Sequence, residues 1–388
     1  SSSNRCRCSC PIRLAEEDGC PLPSRAILSG YETTPRRNDS RSSRASSMRA
    51  ALLHAYTTTE IGDAVRIEEV DSPVIEAADD LIVRVAGAGV CRTDLHILEG
   101  QKFGEGPVPL PHVLGHENAG VVEAIGPGVV NFAVGDLVLC YPFLTTGLDH
   151  AERQGFEHYV TDRLTPGINV PGGYAEFLKI RERAAIALPK GSDPSNYAPL
   201  ADAGLAAFRA CRKAAENLRS SDTAYIVGAG GLGHLGLQIL KILSPATVVT
   251  IDVRQEARDL ASRLGADAVH ASFAEAADAS IDPHKAIIDF VGSEETLNSA
   301  IAGIQTGGRL ELVGVEGRLD VPARLLVERE LTVSGSLVGT FAELLELTEL
   351  VADGRLEVVT TKYSLDQVVT ALTDLREGRV LGRAVLVP

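Results

Sequence analysis

Residues 223–252 read Thr-Ala-Tyr-Ile-Val-Gly-Ala-Gly-Gly-Leu-Gly-His-Leu-Gly-Leu-Gln-Ile-Leu-Lys-Ile-Leu-Ser-Pro-Ala-Thr-Val-Val-Thr-Ile-Asp. An apolar run of strand composition, Thr223 to Val227, enters a glycine-rich turn and leaves it as a helical stretch, His234 to Leu243. A second apolar run then closes on an acid, Asp252, 19 residues beyond Gly233. Each part has a physical use. Gly228, Gly230, Gly231 and Gly233, with Leu232 between the last two, let the backbone turn tightly and come close to a diphosphate, which rests against the amide groups and positive end of the helix. Asp252 is placed to accept hydrogen bonds from an adenosine ribose, and its charge would repel a 2′-phosphate. The stretch is therefore read as a dinucleotide site that favours NAD over NADP. Arg254, two residues on, works against strictness, because a guanidinium there could partly accommodate that phosphate.

Working outward, the rhythm after Leu205 is strand and helix in alternation, with strands expected near 223–227, 247–251, 267–270, 286–290, 309–313 and 331–334. Six strands separated by helices indicate a doubly wound parallel sheet, hence an α/β fold. From Arg49 to about Lys190 the pattern differs. Short β-runs punctuated by Gly and Pro (Leu81–Val85, Gly120–Ile125, Asp136–Cys140 and Tyr174–Lys179) suggest a compact barrel, with any metal ligands on the loops between strands. The C-terminal stretch carries two amphipathic helices, the second opened by the capping box Ser364-x-x-Gln367 and closed near Gly378, and ends in a strand-like Ala384–Val387.

Before the nucleotide stretch lie Cys91-Arg92-Thr93-Asp94-Leu95-His96 and, 25 residues after Cys91, Gly115-His116-Glu117, which runs on as Asn118-Ala119-Gly120-Val121-Val122-Glu123-Ala124-Ile125-Gly126-Pro127-Gly128-Val129. A thiolate and an imidazole suit a soft-to-borderline metal. The whole spacing resembles the zinc signature of the medium-chain zinc-dependent alcohol dehydrogenases, and the resemblance spans roughly Met48 to Pro388. It implies a chaperonin-10-like β-barrel catalytic domain at 48–204 and 338–388, with a Rossmann dinucleotide-binding domain at 205–337 inserted between its two parts. It further implies one catalytic Zn2+ per subunit, NAD as cofactor, and interconversion of alcohols with aldehydes or ketones by hydride transfer. Cys91 and His116 would be ligands. The third is Asp202, at the junction between domains, with Glu117 as a rival; Asp202 could instead cap the helix that follows it. Thr93 and His96 match the family's proton relay, in which the hydroxyl passes a proton through the cofactor ribose to the imidazole. Asp94 would orient His116, Glu117 would tune the metal, and Arg92 and Arg383 would pair with the pyrophosphate. Val315 is placed against the cofactor and, with Pro142, Phe143 and Leu337, along the substrate pocket.

Many family members carry a second, structural zinc held by four cysteines. The matching places here are Thr146, Asp149, Glu152 and Val160, so no such site is expected, and His150 and His158 read as surface groups on a loop.

At 388 residues and 45% hydrophobic content the chain can fill two cores. A net charge of −15 argues against nucleic acid or an anionic membrane as partner. The longest uncharged stretch, Thr223 to Leu240, is broken by five glycines, a histidine and a glutamine, which excludes a bilayer helix. Residues 1–47 stand apart, with eight arginines, five acidic residues and four of the seven cysteines (Cys6, Cys8, Cys10 and Cys20). They read as a disordered extension ahead of an enzyme beginning at Met48. The expected partner is a small alcohol or carbonyl compound, the expected assembly a homodimer or homotetramer, and the expected location the cytoplasm. Polyol or sugar oxidation is the alternative within this chemistry. A zinc-free quinone or enoyl reductase, which needs no Cys91, is the alternative outside it.

Overall fold

The computed structural model describes residues 47–102, 106–278 and 284–388. The expected N-terminal extension, apart from Ser47, and its four cysteines lie outside them. Among the described residues no helix is long and apolar enough to cross a membrane.

Thr223–Val227 is buried along its whole length, as a strand covered on both faces should be. It lies inside a six-stranded parallel sheet whose order is Ala268–His270, Thr247–Ile251, Thr223–Val227, His284–Asp289, Ile304–Leu312, Thr332–Gly335. In chain order that is 3-2-1-4-5-6, so the chain reverses direction across the sheet beside the first strand. Ligands of such sheets bind in the crevice at the carboxyl ends of the strands at that reversal. The glycine turn of residues 228–233 stands there, leading into the helix Gly233–Leu243. Tyr225, Val227, Val249, Ile251, Ile287 and Leu310 form the core beneath it.

The β-rich remainder is organised by one long strand, Asp80–Val90. It pairs antiparallel with Glu117–Ile125, Phe177–Arg181 and the C-terminal Arg383–Val387, within a seven-stranded sheet that also takes in Leu137–Cys140, Ala185–Ala187 and Thr360–Ser364. A three-stranded sheet of Val65–Asp71, Ser47–Leu53 and His112–Val113 stands beside it. The register has a direct consequence for chemistry. Gly89 faces Glu117 and Val90 faces Ala384, so Cys91, His116, Glu117 and Arg383 gather at one end of the sheet although up to 292 residues separate them. Cys91 is the single-residue connection between the strand Asp80–Val90 and the helix Arg92–Leu98. It is the N-cap residue of that helix, where its carbonyl accepts from the Asp94 N–H at 3.1 Å and the Asp94 carboxylate accepts from the Cys91 N–H at 2.9 Å. This reciprocal cap holds the thiol in place.

Burial holds His112, His158 and His234 neutral. His158, read from sequence as a surface group, is fully buried because Phe156 and Tyr159 pack around its ring, with the Tyr159 centroid at 4.0 Å. Burial lowers its pKa to about 4. His150, in contrast, is exposed at the start of a short helix. His234 lies in the first turn of the nucleotide helix Gly233–Leu243. Its Nδ1 lies 3.0 Å from the Gly230 carbonyl and its Nε2 accepts from the Val359 N–H at 3.4 Å, a pattern only the neutral imidazole can make. Burial depresses this group to about 4, below the unfolded value of 6.5, so in acid the unfolded chain takes up a proton that the folded chain refuses. The stabilisation is complete above pH 6.5 and is lost as pH falls toward 4. His234→Gln should therefore reduce the drop in unfolding free energy between pH 7 and pH 5 by about 2 kcal/mol. Denaturant titrations at the two pH values measure it, and an unchanged drop would refute the assignment.

Candidate active site

Cys91, His116, Glu117 and Asp202 each offer a donor atom, and these atoms all lie within 4.8 Å of one another. His116 is held from both sides. Its Nδ1 is 3.4 Å from Asp94 Oδ1 and its Nε2 is 3.4 Å from Asp202 Oδ2. Burial alone would lower the His116 pKa, but the two carboxylates outweigh it and raise the value well above the ordinary 6.5. Asp202 Oδ2 also lies 3.7 Å from Cys91 Sγ. Burial would raise the Asp202 pKa, and the His116 contact overcomes this and lowers it. A buried sulfur, a buried imidazole and carboxylate oxygen facing one point form a donor set that fits zinc. His116 Nε2 and Glu117 Oε2 have no hydrogen-bond partner, as expected for atoms arranged around a cation.

The helix-capping reading of Asp202 is not what the side chain does. Asp202 precedes the helix Ala203–Ala215, yet its carboxylate makes no capping hydrogen bond. Glu117 takes that place, accepting from the Ala203 N–H at 3.3 Å. The same Glu117 oxygen is also bonded by Arg383 Nη2. Burial pushes the Glu117 carboxyl upward and Arg383 opposes it. Burial works against the charge on Arg383, but Glu117 holds its pKa high.

Asp94 carries more than sequence reasoning assigned to it. Fully buried, it accepts from the Cys91 N–H at 2.9 Å and from Tyr174 Oη at 2.8 Å, and it faces His116. Tyr174 was missed altogether. Its ring packs so closely on Gly115 that a Cβ there would sit 2.4 Å from Tyr174 Cδ1, and Gly115 has φ +100, so only glycine allows the chain to turn into His116.

Arg383 joins the two halves of the site. A Cβ built on Gly231 would lie 2.7 Å from Arg383 Nη1, while the other end of the guanidinium bonds Glu117. The glycine turn of residues 228–233 thus meets the donor cluster through one arginine. Asp252 is buried and tied back to the turn, with Oδ2 accepting from the Ala229 N–H at 2.8 Å and Oδ1 from the Arg254 N–H at 2.9 Å. Arg254 itself is occupied. Its Nη1 donates to the Gly378 and Val380 carbonyls at 2.9 and 3.4 Å.

Thr93 Oγ1 lies 3.7 Å from Cys91 Sγ. His96, one turn along the same helix, lies mostly buried at the edge of a cleft of about 400 Å³. Arg92, Val315 and Glu316 line this cleft. Of the expected pocket residues, Phe143 is buried and packs edge-on to Tyr141, whereas Val315 and Leu337 are exposed. Where many family members have cysteines, Glu152 is buried and bonded by Arg183, the Gly147 N–H and Thr145 Oγ1.

Two family descriptions match the chain: the alcohol dehydrogenase GroES-like domain over residues 77–190 and the zinc-binding dehydrogenase over residues 231–353. The NAD-dependent alcohol dehydrogenase of Sulfolobus acidocaldarius is 36% identical, over 87% of this chain and 99% of that one. The crystal structure of the alcohol dehydrogenase of Aeropyrum pernix is 40% identical, with a TM-score of 0.82 over 88% of this chain and all of that one. The D-arabinose dehydrogenase structure from Sulfolobus solfataricus is 28% identical, with a TM-score of 0.76 over the same shares. With these matches and this donor set, the chain belongs to the medium-chain zinc-dependent alcohol dehydrogenase family.

Proposed function

We propose that the chain is an NAD-dependent alcohol dehydrogenase that binds one zinc per subunit through Cys91, His116 and Asp202. The observation that carries this reading is the cluster of four donors within 4.8 Å, linked through Arg383 to the glycine turn. A zinc-free reductase would have no use for a buried cysteine facing a histidine and an aspartate. When bound, zinc supplies a Lewis acid that lowers the pKa of a neighbouring hydroxyl, and NAD supplies the hydride acceptor.

The chain's own residues do the rest. Asp94 fixes the His116 ring through Nδ1, which leaves Nε2 toward Cys91 and Asp202. Thr93 accepts the substrate proton at Oγ1 as it hands on its own hydroxyl proton, and His96, three residues on and so on the same helix face, takes up the relayed proton at a ring nitrogen and releases it to the open cleft. Gly228, Gly230, Gly231, Leu232 and Gly233 receive the diphosphate, with Arg92 and Arg383 as counter-charges. Asp252 receives the ribose. The engagement of Arg254 by two carbonyls supports NAD over NADP, and Val315 borders the nicotinamide end. The division into 48–204 with 338–388 and 205–337 belongs to the same reading, as does a homodimeric or homotetrameric cytoplasmic enzyme. Because a close structural relative is described as a D-arabinose dehydrogenase, sugars are the second substrate class.

Asp202 is preferred over Glu117 as third ligand because one Glu117 oxygen already serves Arg383 and Ala203, whereas Asp202 faces the thiol and imidazole directly. Asp202→Ala should weaken zinc retention by more than about 100-fold, since even the outer partners of ligands are worth 10–100-fold, while Glu117→Gln should keep one zinc per chain. Metal analysis after dialysis, together with NAD reduction across primary and secondary alcohols, polyols and sugars, tests both. The reverse pattern would make Glu117 the ligand, and a wild-type chain with neither zinc nor turnover would end the reading.

A further inference from the structure

Arg92 is not free in the structure. Its Nε donates to Glu316 Oε1 at 2.7 Å, and His96 Nε2 lies 4.0 Å from the same oxygen. Glu316 follows the strand Ile304–Leu312 of the nucleotide sheet, whereas Arg92 and His96 stand on the helix that begins at Cys91, so this ion pair spans the cleft. The turn that presents Glu316 is pinned. Gly317 N–H bonds the Gly292 carbonyl at 2.6 Å, and a Cβ on Gly314 would meet the Val291 backbone at 2.3 Å. The carboxylate is therefore held over the cleft by a fixed backbone. The other charged groups lining the cleft are Glu99 and Arg376, and Arg376 is occupied by the Thr58 and Thr59 carbonyls.

We propose that Glu316 is a built-in competitor for the cofactor's diphosphate: it pairs with Arg92 across the cleft, must surrender it when the dinucleotide binds, and reclaims it to speed release. The proposal rests on the assignment of Arg92 to the diphosphate made above. An incoming diphosphate meets two costs here, the loss of the Arg92–Glu316 pair and the nearness of a fixed carboxylate, both electrostatic and both reduced by salt.

Zinc-loaded full-length chain, titrated with NADH and followed by nucleotide fluorescence and stopped-flow dissociation, tests this. Glu316→Gln should lower the NADH dissociation constant by about 3–10-fold, mostly through slower release, as expected for removing one partially exposed pair and one like-charge contact. The gain should shrink at high salt and in an Arg92→Ala background. Glu99→Gln, which neutralises a carboxylate on the same cleft that does not touch Arg92, should stay within about twofold of wild type. Unchanged or weaker NADH binding in Glu316→Gln would overturn the proposal. So would equal tightening in Glu99→Gln or a full gain without Arg92. If the wild-type chain binds NADH and only these variants misbehave, this inference fails alone; if it binds no NADH, the functional reading fails with it.

Discussion

Cys91→Ser is expected to give a folded chain that holds no zinc after dialysis and has lost at least about 10³-fold in kcat/KM, a transition-state loss of about 4 kcal/mol. The two halves of that expectation have separate causes. Cys91 is the N-cap residue of the helix Arg92–Leu98, and serine is among the best residues for that position. Its oxygen replaces a sulfur of nearly the same shape in a buried position, so helix and packing survive. What disappears is a thiolate, the softest donor of the set, and an uncharged hydroxyl is a poor substitute for it. No other thiol among the described residues can take over. Cys140 and Cys211 are buried elsewhere, and burial raises the pKa of both, that of Cys140 to about 12. Metal content, far-ultraviolet circular dichroism and turnover on the same preparation check the prediction. One zinc per chain with near-normal turnover in Cys91→Ser would remove the sulfur from the site and the proposed chemistry with it.

The contrast between what was readable in the sequence and what was not follows the range of the interactions. The Thr223–Asp252 unit announces itself because its strand, turn, helix and acid are neighbours along the chain, and each obeys local rules of period and backbone freedom. All six strands of that sheet fall where expected. Cys91 and His116 were legible through resemblance, since nothing in a 25-residue separation shows that two side chains meet. The antiparallel pairing of Asp80–Val90 with Glu117–Ile125 brings them together. The contact of Arg383 with Glu117 was missed for the same reason. It depends on the C-terminal strand returning to pair with Val90, a matter of topology and not of pattern. Tyr174 gave no signal, being one apolar-compatible residue in a β-run, and neither did Glu316. His158 lacks metal-ligand spacing, which is why a surface place was expected for it; Phe156 and Tyr159 nearby are the hint that the ring is enclosed by its own turn.

A second large effect separates the glycines of the nucleotide turn into two kinds. A Cβ on Gly233 would lie 1.7 Å from the Gly228 carbonyl oxygen and 2.7 Å from the carbon behind it. These are backbone atoms of the same turn, so no side-chain rotation relieves the clash, and the first helical residue must move away from the strand it follows. Gly233→Ala should therefore lower unfolding free energy by roughly 3 kcal/mol, at the upper end of overpacking costs, and weaken NADH binding by more than about 100-fold, because the amide groups lose their common focus. Gly230 presents the opposite case. Its nearest neighbour would be Arg254 Nη2 at 3.5 Å, an ordinary contact, so Gly230→Ala should change stability by no more than about 0.5 kcal/mol. It should still weaken NADH by about tenfold, since a methyl group would stand between the backbone and the diphosphate. Denaturant unfolding paired with NADH titration resolves the two. If Gly230→Ala bound NADH normally, the turn would not be where the diphosphate lies, however well its strand and helix conform. If Gly233→Ala were as stable as wild type, the close packing of helix on strand would not be what requires glycine there.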